Sequence, residues 1–209
     1  MRNPARFPAA PWGYVGAMDG LWDRIDRAEA AMIVETPWLP ARPPSPVVTV
    51  ATTAGRGGAL WLLWCAAEAL RPGGDRRFAR RAATAVAVAL GVSQLLKRIV
   101  PARPRPEQPG GPARRELPER PDSSSFPSAH AASAAAFTTA VLRHDRRLAL
   151  VVTPVAAIAV YGRLRTRVHW PSDVVAGVTI GVAAALRPTG VRRAPRRPCR
   201  RRRRSCSGR

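Results

Sequence analysis

Five apolar runs, at residues 47–70, 82–100, 130–142, 148–161 and 174–186, constrain this chain most, and stretches rich in arginine or proline separate them. Strand signals are weak: the one β-branched stretch, SPVVTVATT, runs into Gly-Arg-Gly-Gly and has no evident partner. Five apolar helical runs within about 140 residues are hard to bury in a soluble domain that small. Several runs fall short of the about 20 residues that a spanning helix needs, and the mean hydropathy of −0.15 is low. Both facts have a simple cause. An arginine-rich C-terminus depresses the mean, and a helix can extend past its apolar run with arginines snorkelling at its ends. The expected fold class is therefore all-α, an integral membrane helical bundle of about five transmembrane helices plus an N-terminal amphipathic helix.

Three regions follow. Residues 1–46 form an N-terminal segment, in which residues 19–33 have the amphipathic period of a helix, with Leu21, Trp22, Ile25, Ala28 and Met32 near one face. Residues 47–187 form the membrane-embedded domain. Residues 188–209 read as a disordered tail, since the stretch from Arg187 onward holds 11 arginines and no acid. The N-terminal stretch is broken by proline and lacks an apolar core, so no cleavable signal is expected. The cysteines, Cys65, Cys199 and Cys206, suggest neither a disulfide framework nor a metal pair.

The net charge is +22, from 35 Lys plus Arg against 13 Asp plus Glu, and Lys97 is the only lysine. Such a balance points to nucleic acid, anionic lipid or a phosphorylated substrate. For topology, one side of the bundle carries five arginines in residues 71–81 and three in 143–147; the other carries seven basic residues in 97–127 and three in 163–167. The tail tips this near balance and places its own side in the cytoplasm.

Counting crossings brings three clusters to one face: LLKRIVPARPRPE after the second run, SSSFPSAH before the third, and YGRLRTRVHWPSDVVAG between the fourth and fifth. They offer Lys97, Arg98, Arg103, Arg105, Ser128, His130, Arg163, His169 and Asp173. Cations and helix N-termini bind phosphate. His144 falls on the opposite face and reads as a loop residue.

The clusters resemble the three-part signature of the type-2 phosphatidic acid phosphatase superfamily, KxxxxxxRP, PSGH and SRxxxxxHxxxD. The third part matches in spacing, from Arg163 to His169 to Asp173, with Gly162 in place of serine. The second has Ala129 in place of glycine. The first is out of register: seven residues separate Lys97 from Arg105, six separate Arg98 from Arg105, and five separate Lys97 from Arg103. Either Arg98 substitutes for the lysine, or Lys97 keeps its role through a one-residue bulge.

The resemblance implies that His169 is the nucleophile, Asp173 holds its other ring nitrogen, and His130 is the general acid and base. Lys97 or Arg98, Arg105, Ser128, Ala129 and Arg163 would bind phosphate. It implies no metal and no cofactor. The expected activity is hydrolysis of a lipid-linked phosphate, with a weak lean to a polyprenyl-linked one. The expected partners are that lipid and the membrane, with no specific nucleic acid. The expected location is the cell membrane, multi-pass, with the active site extracytoplasmic. The rival is a basic membrane-associated binding protein for nucleic acid or anionic lipid, which accounts for the tail but not for the ordered histidines and aspartate.

Overall fold

A computed structural model describes residue 20 and residues 22–30, 46–106 and 123–187. The tail at 188–209, most of the loop between the first two motifs, and Leu21 and Met32 lie outside these residues. The elements are α1 (residues 22–30), α2 (Pro46–Ala54), a 3₁₀ turn (Arg56–Gly58), α3 (Ala59–Leu70), α4 (Arg76–Ile99), α5 (Ala129–His144), α6 (Arg146–Arg165) and α7 (Pro171–Leu186). No strand occurs among the described residues, and the fold is all-α.

The local chemistry sets the helix ends. Asp75 caps α4 by accepting from the amides of Arg77 and Phe78, and Asp145 caps α6 through Arg147 and Leu148. Pro171 opens α7 at a position where a missing N–H costs nothing. The first apolar run is not one helix. Gly57 and Gly58 take φ values of +56° and +75°, which break it into α2 and α3. A side chain at Gly58 would also meet Leu90 at 3.0 Å.

Among the described residues two helices, α4 with 24 residues and α6 with 20, are long and apolar enough to cross a membrane. The shorter α5 and α7, at 16 residues each, extend about 24 Å. Outward-facing positions of the bundle are strongly apolar: Leu63 is 68% exposed, Leu150 77% and Val175 65%. Together with Val92, Leu95, Val151 and Ile158 they form the kind of surface that water does not favour and lipid does.

The alanine-rich α5 lies at the centre and packs against α4, α6 and α7. Its small side chains leave room for close approach, and Phe137 fills the remaining space by stacking on Trp61 at 5.1 Å. Against it α7 presents Gly177 and Gly181. A Cβ on Gly177 would lie 2.4 Å from the Ser128 carbonyl oxygen, and one on Gly181 would lie 2.2 Å from that of Ala132. This is the small-xxx-small contact that brings helix backbones together in membranes. It fixes the register of the two helix N-termini, where the Ser128 amide donates to the Asp173 carbonyl at 3.0 Å.

The N-terminal helix differs from its expected form. Trp22 is buried, but Ala28 is exposed and Glu29 is buried in its place. The inward face carries acids because a guanidinium, described below, waits for them.

The close contact is testable. Gly177→Ala and Gly181→Ala should each cost about 1–3 kcal/mol of stability or more, read as a lower melting temperature in detergent, because backbone atoms cannot yield. Gly91→Ala, at an open helical position, should leave it unchanged or raise it. Similar melting of all three variants would remove the glycine contact as the organising feature.

Candidate active site

Four helix ends meet on one face of the bundle, as the crossing count requires: the C-termini of α4 and α6 and the N-termini of α5 and α7. The connections between them are laced together. Ser125 donates its amide to the Arg103 carbonyl and its hydroxyl to that of Pro104, both at 3.0 Å. The Trp170 indole N–H donates to the Pro104 carbonyl at 2.9 Å. The serines of SSSFPS thus serve the backbone of the first motif, a task their sequence gives no sign of.

The spacing from Arg163 to Asp173 has a local explanation. At the end of α6 the Thr166 amide and hydroxyl both return to the Gly162 carbonyl. Arg167 then enters the left-handed region at φ 48°, an uncommon conformation for a residue with a side chain. The chain reverses, and the amides of Val168 and His169 donate to the Arg163 carbonyl at 3.2 and 3.3 Å. Pro171 starts α7, and the Asp173 carboxylate reaches back. Its Oδ2 accepts from the Trp170 amide at 2.8 Å and faces His169 Nδ1 at 3.5 Å. The second distance is long for a hydrogen bond. With Nδ1 turned toward Asp173, Nε2 is the nitrogen left for chemistry.

His169 is 4% exposed. Burial pushes its pKa down to about 4; Asp173 opposes that effect, while Arg163 and Arg105 add to it. The imidazole is therefore neutral at ordinary pH, as a nucleophile must be.

Cationic groups converge on this histidine. Lys97, in the last turn of α4, donates to the Ser124 carbonyl. Arg105 donates to the carbonyls of Val168 at 2.6 Å and Ser123 at 2.9 Å. Arg163 is 6% exposed, and its Nε has no hydrogen-bond partner among the described residues. The fields of Arg105 and Arg163 reach both Lys97 and His169. Arg56, in the 3₁₀ turn, acts on Arg163 as well; a lone arginine among glycines gave no motif to recognise it by.

The remaining expected residues have other positions. Arg98 is exposed. Ser128 is fully buried and caps α5, its hydroxyl accepting from the Ala131 amide at 3.4 Å; its own amide is spent on Asp173. Ala129 is the first residue of α5, so its amide has no acceptor within the helix. His130 is half-buried on the same turn. Arg103 is taken up elsewhere. Its guanidinium donates to Asp26, Glu29, Ser172 and Asp173 at 2.6–2.8 Å.

A model of the PAP2 superfamily matches residues 78–194, more than half of the chain. The chain belongs to the PAP2 superfamily. Two curated relatives, both named decaprenylphosphoryl-5-phosphoribose phosphatase, from two strains of Mycobacterium tuberculosis, are 38% identical over 98 residues, which is 45% of this chain and 50% of each relative. The chain thus spans about half the length of the curated relatives it matches. Among solved structures it is similar to LpxE of Aquifex aeolicus, with TM-score 0.55, 22% identity, and 79% of this chain and 90% of that one covered. It is also similar to a transmembrane PAP2-type phosphatidylglycerolphosphate phosphatase of Bacillus subtilis, with TM-score 0.54, 18% identity, and 82% and 84% covered. These two establish a shared PAP2 fold.

The register of the first motif yields a prediction. If Lys97 meets substrate, Lys97→Ala should cost about 2–4 kcal/mol of transition-state stabilisation, as loss of a preorganised donor does, and Arg98→Ala should be mild. Steady-state kinetics on both variants decides. The inverse pattern would give the role to Arg98.

Proposed function

We propose that this chain is a membrane phosphatase that hydrolyses a lipid-linked phosphate monoester or pyrophosphate through a phosphohistidine on His169. The observation that carries the reading is a buried histidine that faces a carboxylate and lies in the field of Arg105 and Arg163, which also reaches Lys97. A phosphate dianion repels anionic nucleophiles, so its hydrolysis needs cations on the phosphoryl oxygens and a neutral attacking group.

In the first step His169 Nε2 forms a bond to phosphorus, and the ester P–O bond breaks as His130 protonates the departing oxygen. Asp173 supports the positive charge that grows on the His169 ring. In the second step His130 takes a proton from water, the hydroxyl attacks phosphorus, and the P–N bond breaks to give inorganic phosphate and free His169. Lys97, Arg105 and Arg163 hold the phosphoryl oxygens in both steps, with the Ala129 amide and the N-terminus of α5 beside them. Ser128 contributes as the cap that holds this helix start.

The 38% identity to phosphatases named for decaprenylphosphoryl-5-phosphoribose supports a polyprenyl-linked substrate. A site at helix ends suits an amphiphile whose headgroup stays at the water boundary. We read α3 to α7 as the five crossings, with the site on the extracytoplasmic face and residue 187 on the cytoplasmic one. Cys199 and Cys206 should then resist impermeant thiol reagents in intact cells, while a cysteine introduced at Gly110 should label. The reverse pattern would turn the site to the cytosol.

The chemistry is tested by phosphate release from polyprenyl phosphate, phosphatidate and phosphatidylglycerol phosphate in excess EDTA. His169→Ala should abolish turnover and any acid-labile phosphoenzyme. His130→Ala should be strongly impaired yet still form that intermediate when the leaving group needs no proton. Asp173→Asn should cost about 10²–10⁴-fold, like other carboxylate-oriented histidines. Because His169 must be unprotonated to attack, kcat/KM should fall with acid only as the pH approaches about 4. Substantial turnover by His169→Ala, with loss of the phosphoenzyme in His130→Ala, would force the two histidines to exchange roles.

A further inference from the structure

The cations that phosphate binding requires are unfavourable for His169, which becomes positive as it attacks. Arg163 of α6 and Arg105 of the segment after α4 act on it directly, and Lys97 of α4 acts on Asp173. His130 stands on the first turn of α5. Asp173 alone supplies the opposing charge from α7, and its second oxygen is not free: Oδ1 accepts from Arg103 at 2.7 Å.

Arg103 has no solvent exposure, and all five of its N–H donors are spent. Nε goes to Asp26; one terminal nitrogen goes to Ser172 and Asp173; the other goes to Asp26 and Glu29. None remains for a phosphate. Trp22 and Trp170 cover the guanidinium, with centroids 4.7 and 5.3 Å away. Asp26 and Glu29 lie on α1, 77 and 74 residues before the arginine. Glu29 also holds the first turn of α7 directly, accepting from the Ser172 amide at 2.7 Å and its hydroxyl at 3.0 Å. One cation therefore meets three carboxylates, an excess of negative charge directly behind the catalytic pair. Burial raises the pKa of Asp26, and repulsion from Asp173 and Glu29 adds to the rise while Arg103 opposes it.

On the phosphatase reading above, we infer that Asp26 and Glu29 of α1 are positioning residues of the active centre, which act through Arg103 to fix the Asp173 carboxylate and to set the charge it presents to His169. Without them the guanidinium charge bears undiminished on Asp173 and weakens its support of a cationic ring.

The chain has three histidines, so ¹⁵N-histidine NMR of the full-length protein in detergent follows His169 directly. Glu29→Gln keeps the shape and removes the charge. It should lower the pH at which His169 titrates by about half a pH unit, and lower kcat on a polyprenyl phosphate about 10–100-fold, as loss of an outer hydrogen-bond partner does, with KM little changed. Arg103→Met should move the titration the opposite way. Asp23→Asn, exposed on the same helix, should change neither. If Glu29→Gln fails to fold, Asp26→Asn carries the same sign and takes its place. An unmoved titration in these variants overturns the inference even where kcat falls, because packing alone then explains the loss. A wild type that titrates as described but releases no phosphate sinks the phosphatase reading and leaves the electrostatic link standing.

Discussion

The close approach of α7 to α5 governs this structure. Two glycines on one helix lie against the carbonyls and alanines of the other, and no side chain separates the backbones. That contact sets the height of one helix start relative to the other. At that height the Ser128 amide meets the Asp173 carbonyl, so the turn that carries His130 and the turn that carries Asp173 are held as one unit. The hydrophobic effect supplies little force between helices inside lipid, and the fit of small residues has to supply it instead. On the proposed reading the chemistry draws on groups from four helix ends, and such a fixed reference holds them together.

Charge explains the second level of organisation. Positive groups gather on the side where a phosphate would sit, and negative groups gather behind Asp173. His169 lies between the two and is buried, so it feels both. Burying this many charges is costly unless each is answered. The answers come from every part of the described chain: carbonyls for Lys97 and Arg105, carboxylates for Arg103.

The sequence made much of this legible. The five residues between Arg163 and His169, and the three between His169 and Asp173, were legible as one short unit, because a helix end, a reversal and a proline-started helix leave little freedom between them. The shared face of the motifs followed from counting helices. What stayed hidden was pairing over long distances. Nothing local shows that Arg103 is consumed by acids some 75 residues away, since Arg103 and its neighbour Arg105 both precede a proline in the same stretch. The amphipathic pattern of α1 likewise suggested a purely apolar face, because a buried carboxylate looks like a solvent-exposed one until its partner is known. The break at Gly57 and Gly58 could have been found, as adjacent glycines invite positive φ.

The lipid-facing surface has a consequence for how such a chain changes over generations. Leu63, Leu150, Val151 and Val175 are largely exposed on the outside of the bundle. Any apolar residue satisfies them, so these positions are free to drift. Gly177, Gly181 and the alanines beneath them have no such freedom, nor do the residues whose charges answer one another. Substitutions should therefore accumulate on the outside of the bundle and spare its interior seams. Two bundles of this kind can lose most of their likeness as text while the seam and the spacing from Arg163 to Asp173 still record a common origin.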